Sequence, residues 1–366
     1  MSTDEEIAKE LTELAKKLIS FKTTENHPEE ILSCVDFVEE YLSESANLQI
    51  TRGAFEEKPY LIATLKDTKS PKIFLCGHLD VVDAGEEEFN PQIRNGKLFG
   101  RGAIDMKGNC AAMMKVMKEI SKKSPPPSVG LMLTTDEESG GRHTVDHLLS
   151  DEGYSCEAAF VPDGGYGFKL VTAEKGAIWV KLTIKGKAGH GSRPWTGVNA
   201  IEKAFDEFKK VKGLFPEIKD ESEWAPTVNL GKISSGDAVN KIPDKAVLEL
   251  DIRYTQEREY EDTVSALKAA IEGDVEITKH TPLCVTKPDN PFLSSYKKTA
   301  ERILGREMQY LKSAGGSDGK FFGKQGIAVI ETCPIGGNHH GRGEWVDLKS
   351  LIHFYDILKT YLSSYA

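Results

Sequence analysis

Ile73-Phe74-Leu75-Cys76-Gly77-His78-Leu79-Asp80 is an apolar run of strand length that ends in a histidine and, two residues on, an aspartate. Uninterrupted apolar positions mark a strand buried on both faces, as in a parallel sheet. Three further runs end the same way. Leu131-Met132-Leu133-Thr134 leads into Thr135-Asp136-Glu137-Glu138, and Ala159-Phe160-Val161 into Pro162-Asp163-Gly164-Gly165. Val329-Ile330-Glu331 leads to Gly336-Gly337-Asn338-His339-His340. In an open parallel sheet the carboxyl ends of the strands share one edge, where ligands bind. Four distant segments are thus expected to bring His, Asp and Glu side chains to one place. Asp105, in Gly100-Arg101-Gly102-Ala103-Ile104-Asp105 just ahead of a helix, joins them.

Each element alone has a plainer reading. A His-x-Asp pair can sit on the surface, Glu137-Glu138 can open a solvated helix, Asp105 can cap the helix after it, and Asp163 can serve a turn. Their repetition at four strand ends carries the weight. Two histidines and three carboxylates suit a pair of Zn²⁺ ions with nitrogen and oxygen ligands and room for water, and Co²⁺ or Mn²⁺ suit the same set. Two such ions about 3.5 to 4 Å apart polarise a carbonyl and acidify a shared water. One carboxylate must then stay unliganded to take the proton, and a Glu beside a Glu ligand is well placed for it.

Around these segments, apolar residues recur at helical spacing over 5 to 20 (Ile7, Leu11, Leu14, Leu18) and 29 to 44 (Ile31, Val35, Val38, Leu42). Strand-length runs cover Leu61 to Leu65, Ile73 to Cys76, Val129 to Leu133 and Ala158 to Val161, with a helix from Met106 to Ile120. Strands alternating with helices imply an α/β domain whose largely parallel sheet is sandwiched by helices. From Ala177 the pattern changes. Strand Ala177 to Ile184, helix Asn199 to Val211, strands Thr227 to Ile233 and Ala246 to Arg253, helix Glu257 to Ile271 and strand Val275 to Lys279 follow in β-α-β-β-α-β order. That order predicts an inserted ferredoxin-like α+β domain. After the Pro-rich stretch Pro282 to Pro291 the first style resumes with a helix from Leu293 to Leu304, a strand from Ile327 to Glu331 and a helix from Leu348 to Leu362. The expected division is 1–175 and 288–366 for a discontinuous catalytic domain, with 176–287 inserted.

The 57 acidic and 47 basic residues leave a net charge of -10. With no basic run, this argues against nucleic acid and anionic membranes as partners. The N-terminus lacks the apolar core of a signal peptide, and no stretch approaches the roughly 18 apolar residues that cross a bilayer. Six scattered cysteines without a Cys-x-x-Cys pair read as reduced core residues. A cytoplasmic protein is the simplest expectation.

His78-Leu79-Asp80, Gly102-Ala103-Ile104-Asp105-Met106-Lys107-Gly108, Asp136-Glu137-Glu138 and Gly189-His190 resemble the zinc aminoacylase and exopeptidase family. That family includes succinyl-diaminopimelate desuccinylase, acetylornithine deacetylase, glutamate carboxypeptidase and cytosolic di- and tripeptidases. The resemblance covers nearly the whole chain. It implies that His78, Asp105 and Asp163 hold one zinc and that Asp105, Glu138 and His340 hold the other, with Asp105 bridging. It implies that Asp80 orients His78 and that Glu137 is the general base. His340 is preferred to His339 because Glu344 follows it by four residues, and Asp105-Met106 is expected to be cis. The inserted domain resembles the family's lid and dimerisation module, implying a homodimer and hinges near Gly176 and Pro282 to Pro291. There His190, in Gly189-His190-Gly191-Ser192-Arg193-Pro194, matches the histidine that reaches the partner's site to stabilise the oxyanion. Asn240 and Arg253 match positions that hold the substrate carboxylate, and Gly315, Gly316 and Ser317 match a loop that donates to it. The plainer readings are a strand-end ion pair for Arg253 and a turn for His190.

The resemblance leaves two substrates open. Desuccinylase, deacetylase and glutamate carboxypeptidase branches usually carry Glu where this chain has Asp163, whereas dipeptidases and tripeptidases more often carry Asp. Amide cleavage in short peptides is therefore the expectation, with deacylation of N-acyl amino acids as the alternative. A non-catalytic paralogue that only binds in the cleft is the third reading, against which Glu137 and every ligand are present.

Overall fold

The computed structural model describes residues 3–139, 144–220 and 223–365. They form two compact units. One comprises residues 1–173, 285–313 and 317–366, and the other comprises Glu174–Cys284 with Ala314–Gly316.

The first unit is built on a six-stranded sheet in the order Gln49–Phe55, Lys58–Thr64, Val129–Thr134, Ile73–His78, Ala158–Phe160, Ala328–Ile330. The last four strands pair in parallel. Every residue of Lys58–Thr64, Ile73–His78 and Val129–Thr134 is buried, which requires cover on both faces. Helix Lys107–Ile120 lies against Ile73–His78 and Val129–Thr134 and packs on Thr3–Ser20 and Leu348–Ser363. Its own face toward them is continuous from Cys110 to Met117, all fully buried save Lys115. The helix Pro28–Ser43 covers Lys58–Thr64, and Gly319–Lys324 packs on Ala328–Ile330.

Three departures from the sequence reading have physical causes. Lys58–Thr64 is buried like a parallel strand but runs antiparallel to both neighbours, because a short turn joins it to Gln49–Phe55. That first strand is largely exposed and lacks the alternation that would have marked it. A small sheet of Gly336–Gly337, Trp345–Asp347, Lys97–Phe99 and Gln92–Arg94 uses strands too short to show a period. The Asp105–Met106 peptide is cis, as expected.

The second unit is a four-stranded antiparallel sheet in the order Thr227–Ser235, Lys245–Tyr254, Gly176–Lys185, Asp274–Thr281. Helices Ala200–Lys212 and Glu259–Ala270 complete it. With the strands numbered by sequence, the order is 2-3-1-4, the ferredoxin-like arrangement. Ile178, Val180, Leu182 and Ile184 alternate inward with Ala246, Leu248, Leu250 and Ile252 and bury a separate core, as the period of two dictates. No helix among the described residues is long and apolar enough to cross a membrane. The cysteines are free, and all but Cys156 are buried.

Candidate active site

The carboxyl ends of three parallel strands and two loops deliver the chemistry in the first unit. His78 is the last residue of Ile73–His78, with 1% of its surface exposed. Its Nε2 lies 3.3 Å from Asp105 Oδ1 and 3.6 Å from Asp163 Oδ1. The other oxygen, Asp105 Oδ2, is 3.2 Å from His340 Nε2, which is 3.0 Å from Glu138 Oε1. The two oxygens of one carboxylate thus face two different groups, His78–Asp105–Asp163 and Asp105–Glu138–His340. Within each, the candidate ligand atoms lie no more than 4.8 Å apart. All five residues expected as ligands are brought together.

This donor set fits divalent cations. His78 Nε2 is buried without a hydrogen bond of acceptable geometry, aimed at carboxylates that are themselves crowded. Such an atom calls for a partner that accepts an imidazole lone pair, and imidazole with carboxylate oxygen is a zinc-like set. The other ring nitrogen, Nδ1, bonds the backbone carbonyl of Asp80 at 3.0 Å, which fixes ring orientation. Here the structure refines the expectation for Asp80. Its carboxylate stands 3.6 Å from Nδ1, and Oδ2 instead accepts the Glu138 N–H at 2.8 Å. Asp80 therefore positions both His78, through its main chain, and Glu138, through its side chain.

Mutual charge governs the ionisation of the group. Burial alone would lower the His78 pKa, but Asp105 and Asp163 outweigh it and hold it well above the ordinary value. Hydrogen bonds to Asp105 and Glu138 push His340 up to about 10. Burial raises Asp163, with Asp105 beside it adding to the effect. Burial likewise raises Asp80 to about 7. Glu137 is pushed upward by burial as well, moderated by His78 and by the Lys320 ammonium 3.8 Å from its Oε1. A raised carboxylate beside ligand groups has the character of a general base.

Several residues that hold this constellation were given no role in the sequence reading. Glu344 is fully buried. Its carboxylate accepts from the N–H groups of Gly102, Ile104 and Asp105 at 3.0, 2.9 and 3.0 Å and from Arg101 Nη1 at 2.7 Å. Arg101 Nη2 in turn donates to the Gly341 carbonyl, next to His340. His340 sits in the left-handed region, φ 57°, which is unfavourable for a side chain with a Cβ and needs such external hold. Gly108 must be glycine, since a Cβ there would run into the Ala103 carbonyl. The spacing of Glu344 four residues after His340 was the one signal for it in the sequence. Arg101, being an ordinary surface residue type, gave none.

The remaining expected residues fall as follows. Ser317 is buried in the first unit, and its hydroxyl accepts the Gly319 N–H at 3.1 Å and lies 3.5 Å from Glu331 Oε2. Gly315 and Gly316 group with the second unit. Within that unit His190 and Asn240 are exposed and adjacent, for His190 pairs with Lys241 and the Gly191 N–H donates to the Asn240 carbonyl at 2.7 Å. The His190 Nδ1 accepts from Ser192 N at 3.2 Å. Arg253, near the end of Lys245–Tyr254, clasps Asp251 through Nε and Nη2 at 3.0 and 3.1 Å. That pair is the strand-end ion pair of the plainer reading. Arg253 is half-buried.

The fold and site together identify a class, a metallohydrolase built on a parallel sheet with an inserted ferredoxin-like domain. The chain belongs to peptidase family M20/M25/M40, which it matches over residues 74–364. It is similar to succinyl-diaminopimelate desuccinylase of Wolinella succinogenes, 28% identical over 75% of this chain and 79% of the relative. The Hahella chejuensis desuccinylase is 28% identical over 91% of each chain. Among solved structures, aminopeptidase PepT from Bacillus cereus superposes with a TM-score of 0.80 at 21% identity, over 97% of this chain and 98% of that one. The dipeptidase Dug1p from Saccharomyces cerevisiae gives 0.71 at 17%, over 99% and 97%. At such identities these two structures establish shared fold.

Proposed function

We propose that the chain hydrolyses an amide bond in short peptides, with the two ligand groups around Asp105 as a dinuclear zinc centre. The observation that carries the hydrolytic reading is the division of Asp105: Oδ1 toward His78 and Oδ2 toward His340, with an unshared carboxyl, Glu137, next to Glu138. When bound, the cations supply polarisation of the scissile carbonyl and acidification of a water. Glu137 takes the proton of that water and returns it to the leaving amine, and its upward shift by burial suits both tasks. Asp80 keeps His78 in the tautomer whose Nε2 faces the carboxylates. His190 reaches the site of the partner subunit to stabilise the developing oxyanion there, and Arg253, Asn240 and the Gly315–Ser317 loop hold the substrate carboxylate. The 176–287 segment acts as lid and dimer module of a cytoplasmic homodimer.

Asp163 in the first ligand group, together with the tripeptidase and dipeptidase folds it resembles, supports a peptide substrate. The desuccinylase names of the relatives in sequence favour a second reading, removal of an acyl group from an amino acid. A hydrolysis screen on metal-loaded protein separates them. Cleavage of di- and tripeptides supports the first, and turnover of succinyl- or acetyl-amino acids with peptides untouched sinks it.

A further inference from the structure

Asn109 is fully buried in the first turn of Lys107–Ile120 and belongs to neither ligand group. Its Nδ2 donates to the Ile104 carbonyl at 3.0 Å and to the Pro162 carbonyl at 2.8 Å. Each carbonyl belongs to the residue just before a carboxylate of the first group, Asp105 and Asp163. One primary amide, with two hydrogens in a fixed fork, therefore ties together the two turns that present those carboxylates. The acceptors settle its orientation, since the reversed amide would set an oxygen against two carbonyls. Asn109 Oδ1 has no hydrogen-bond partner among the described residues. An unpaired buried acceptor is unfavourable, so the residue's contribution lies in its donors.

The two ends of this tie are not held equally by other groups. Asp105 is fixed independently, because Glu344 accepts its N–H and that of Ile104. The Asp163 N–H bonds only locally, to the Val161 carbonyl at 2.9 Å, and among the described residues the Pro162 carbonyl has just the Cys333 thiol, at 2.8 Å, as a second side-chain donor. Loss of Asn109 therefore falls mainly on Asp163. Neither carbonyl adjoins Glu138 or His340.

We infer that Asn109 is a positioning residue that sets the spacing of Asp163 against Asp105, and so tunes the His78–Asp105–Asp163 group separately from the Asp105–Glu138–His340 group. The inference rests on the proposal that these groups bind metal. Ligand distances in such sites are tight to about 0.2 Å, so a small release of the Asp163 turn is enough to be felt.

The test is a Zn²⁺ titration of metal-free full-length wild type, Asn109→Ala, Cys333→Ala and Asp163→Ala against a chromogenic chelator, with urea unfolding of each. Asn109→Ala is expected to weaken one binding event by about 10- to 100-fold, the same event that Asp163→Ala abolishes, and to leave the other within about twofold. Cys333→Ala is expected to move that event in the same direction by less, and stands in if Asn109→Ala does not fold. Unchanged affinities, or equal weakening of both events in step with lost stability, would overturn the inference. A wild type that binds no zinc overturns the metal proposal itself, a result distinct from either.

Discussion

Arg101 and Glu344 form a buried ion pair, 2.7 Å apart, between the turn that presents Asp105 and the loop that presents His340. The glutamate accepts four hydrogen bonds, and the arginine passes one on to the Gly341 carbonyl. Neither charge is wasted on solvent: the side chains are 4% and 0% exposed. A buried pair of this kind gives little net stability when intact but leaves a costly orphan when broken. Arg101→Met is therefore expected to lower unfolding free energy by about 3 to 5 kcal/mol, seen as a shifted urea midpoint. A loss below about 1 kcal/mol would mean that the three backbone donors satisfy Glu344 alone.

Glu137→Ala should reduce amide hydrolysis by about 10²- to 10⁴-fold, the range for a general base. Zinc content and the unfolding midpoint should stay at wild-type values, because Glu137 lies outside both ligand groups. Retained turnover would move the proton transfer to another residue.

Gly108→Ala places a methyl against the Ala103 carbonyl, a backbone atom that can retreat only by moving the turn ahead of Asp105. Overpacking of this sort costs about 1 to 3 kcal/mol. Thermal unfolding should register it, and metal affinity should fall with it. A variant with wild-type stability would show that the turn yields freely.

Lys107 carries the pH prediction. Burial lowers its pKa to about 8, against the pull of Asp80 and Glu344, and its ammonium donates to the Phe21 carbonyl at 2.7 Å. The folded pKa is below that of the unfolded chain, so folded protein binds fewer protons between about pH 8 and 10.5. Stability contributed by this residue rises with pH across that window, and below it the burial penalty is felt in full. Relative to wild type, Lys107→Met should gain most below pH 8 and lose that advantage by pH 10.5. Parallel stability curves for the two proteins would refute the assignment.

Much of this was legible in the sequence for reasons that can be named. His78, Glu138, Asp163 and His340 stood out because polar residues following apolar strands break a strong pattern, and Asp105 because it stands just ahead of a helix. Lys245–Tyr254 and Gly176–Lys185 alternate with a period of two, which marks one covered face. Gln49–Phe55 showed no such pattern, since most of its side chains are exposed and its pairing partner alone makes it a strand. Asn109 was illegible for a different reason, and Glu344 showed only as a spacing from His340, without its role. What they do depends on backbone atoms of Ile104, Pro162 and Gly102, and a carbonyl or amide has no letter in the sequence. The Arg253–Asp251 clasp matches the plainer reading, because residues two apart on a strand share a face.

Arg101 and Glu344 are separated by 243 positions in the chain. Contacts that span so much chain must wait for the slowest part of the search, because the entropy of closing a long loop is spent before they form. During synthesis, the segments bearing His78, Asp105, Glu138 and Asp163 leave the ribosome well ahead of Glu344. Until it arrives, the Asp105 turn has no anion to gather its amides and His340 has no partner loop. A chain that stops short of Glu344 therefore lacks the carboxylate that gathers the amides of Gly102, Ile104 and Asp105 and pairs with Arg101.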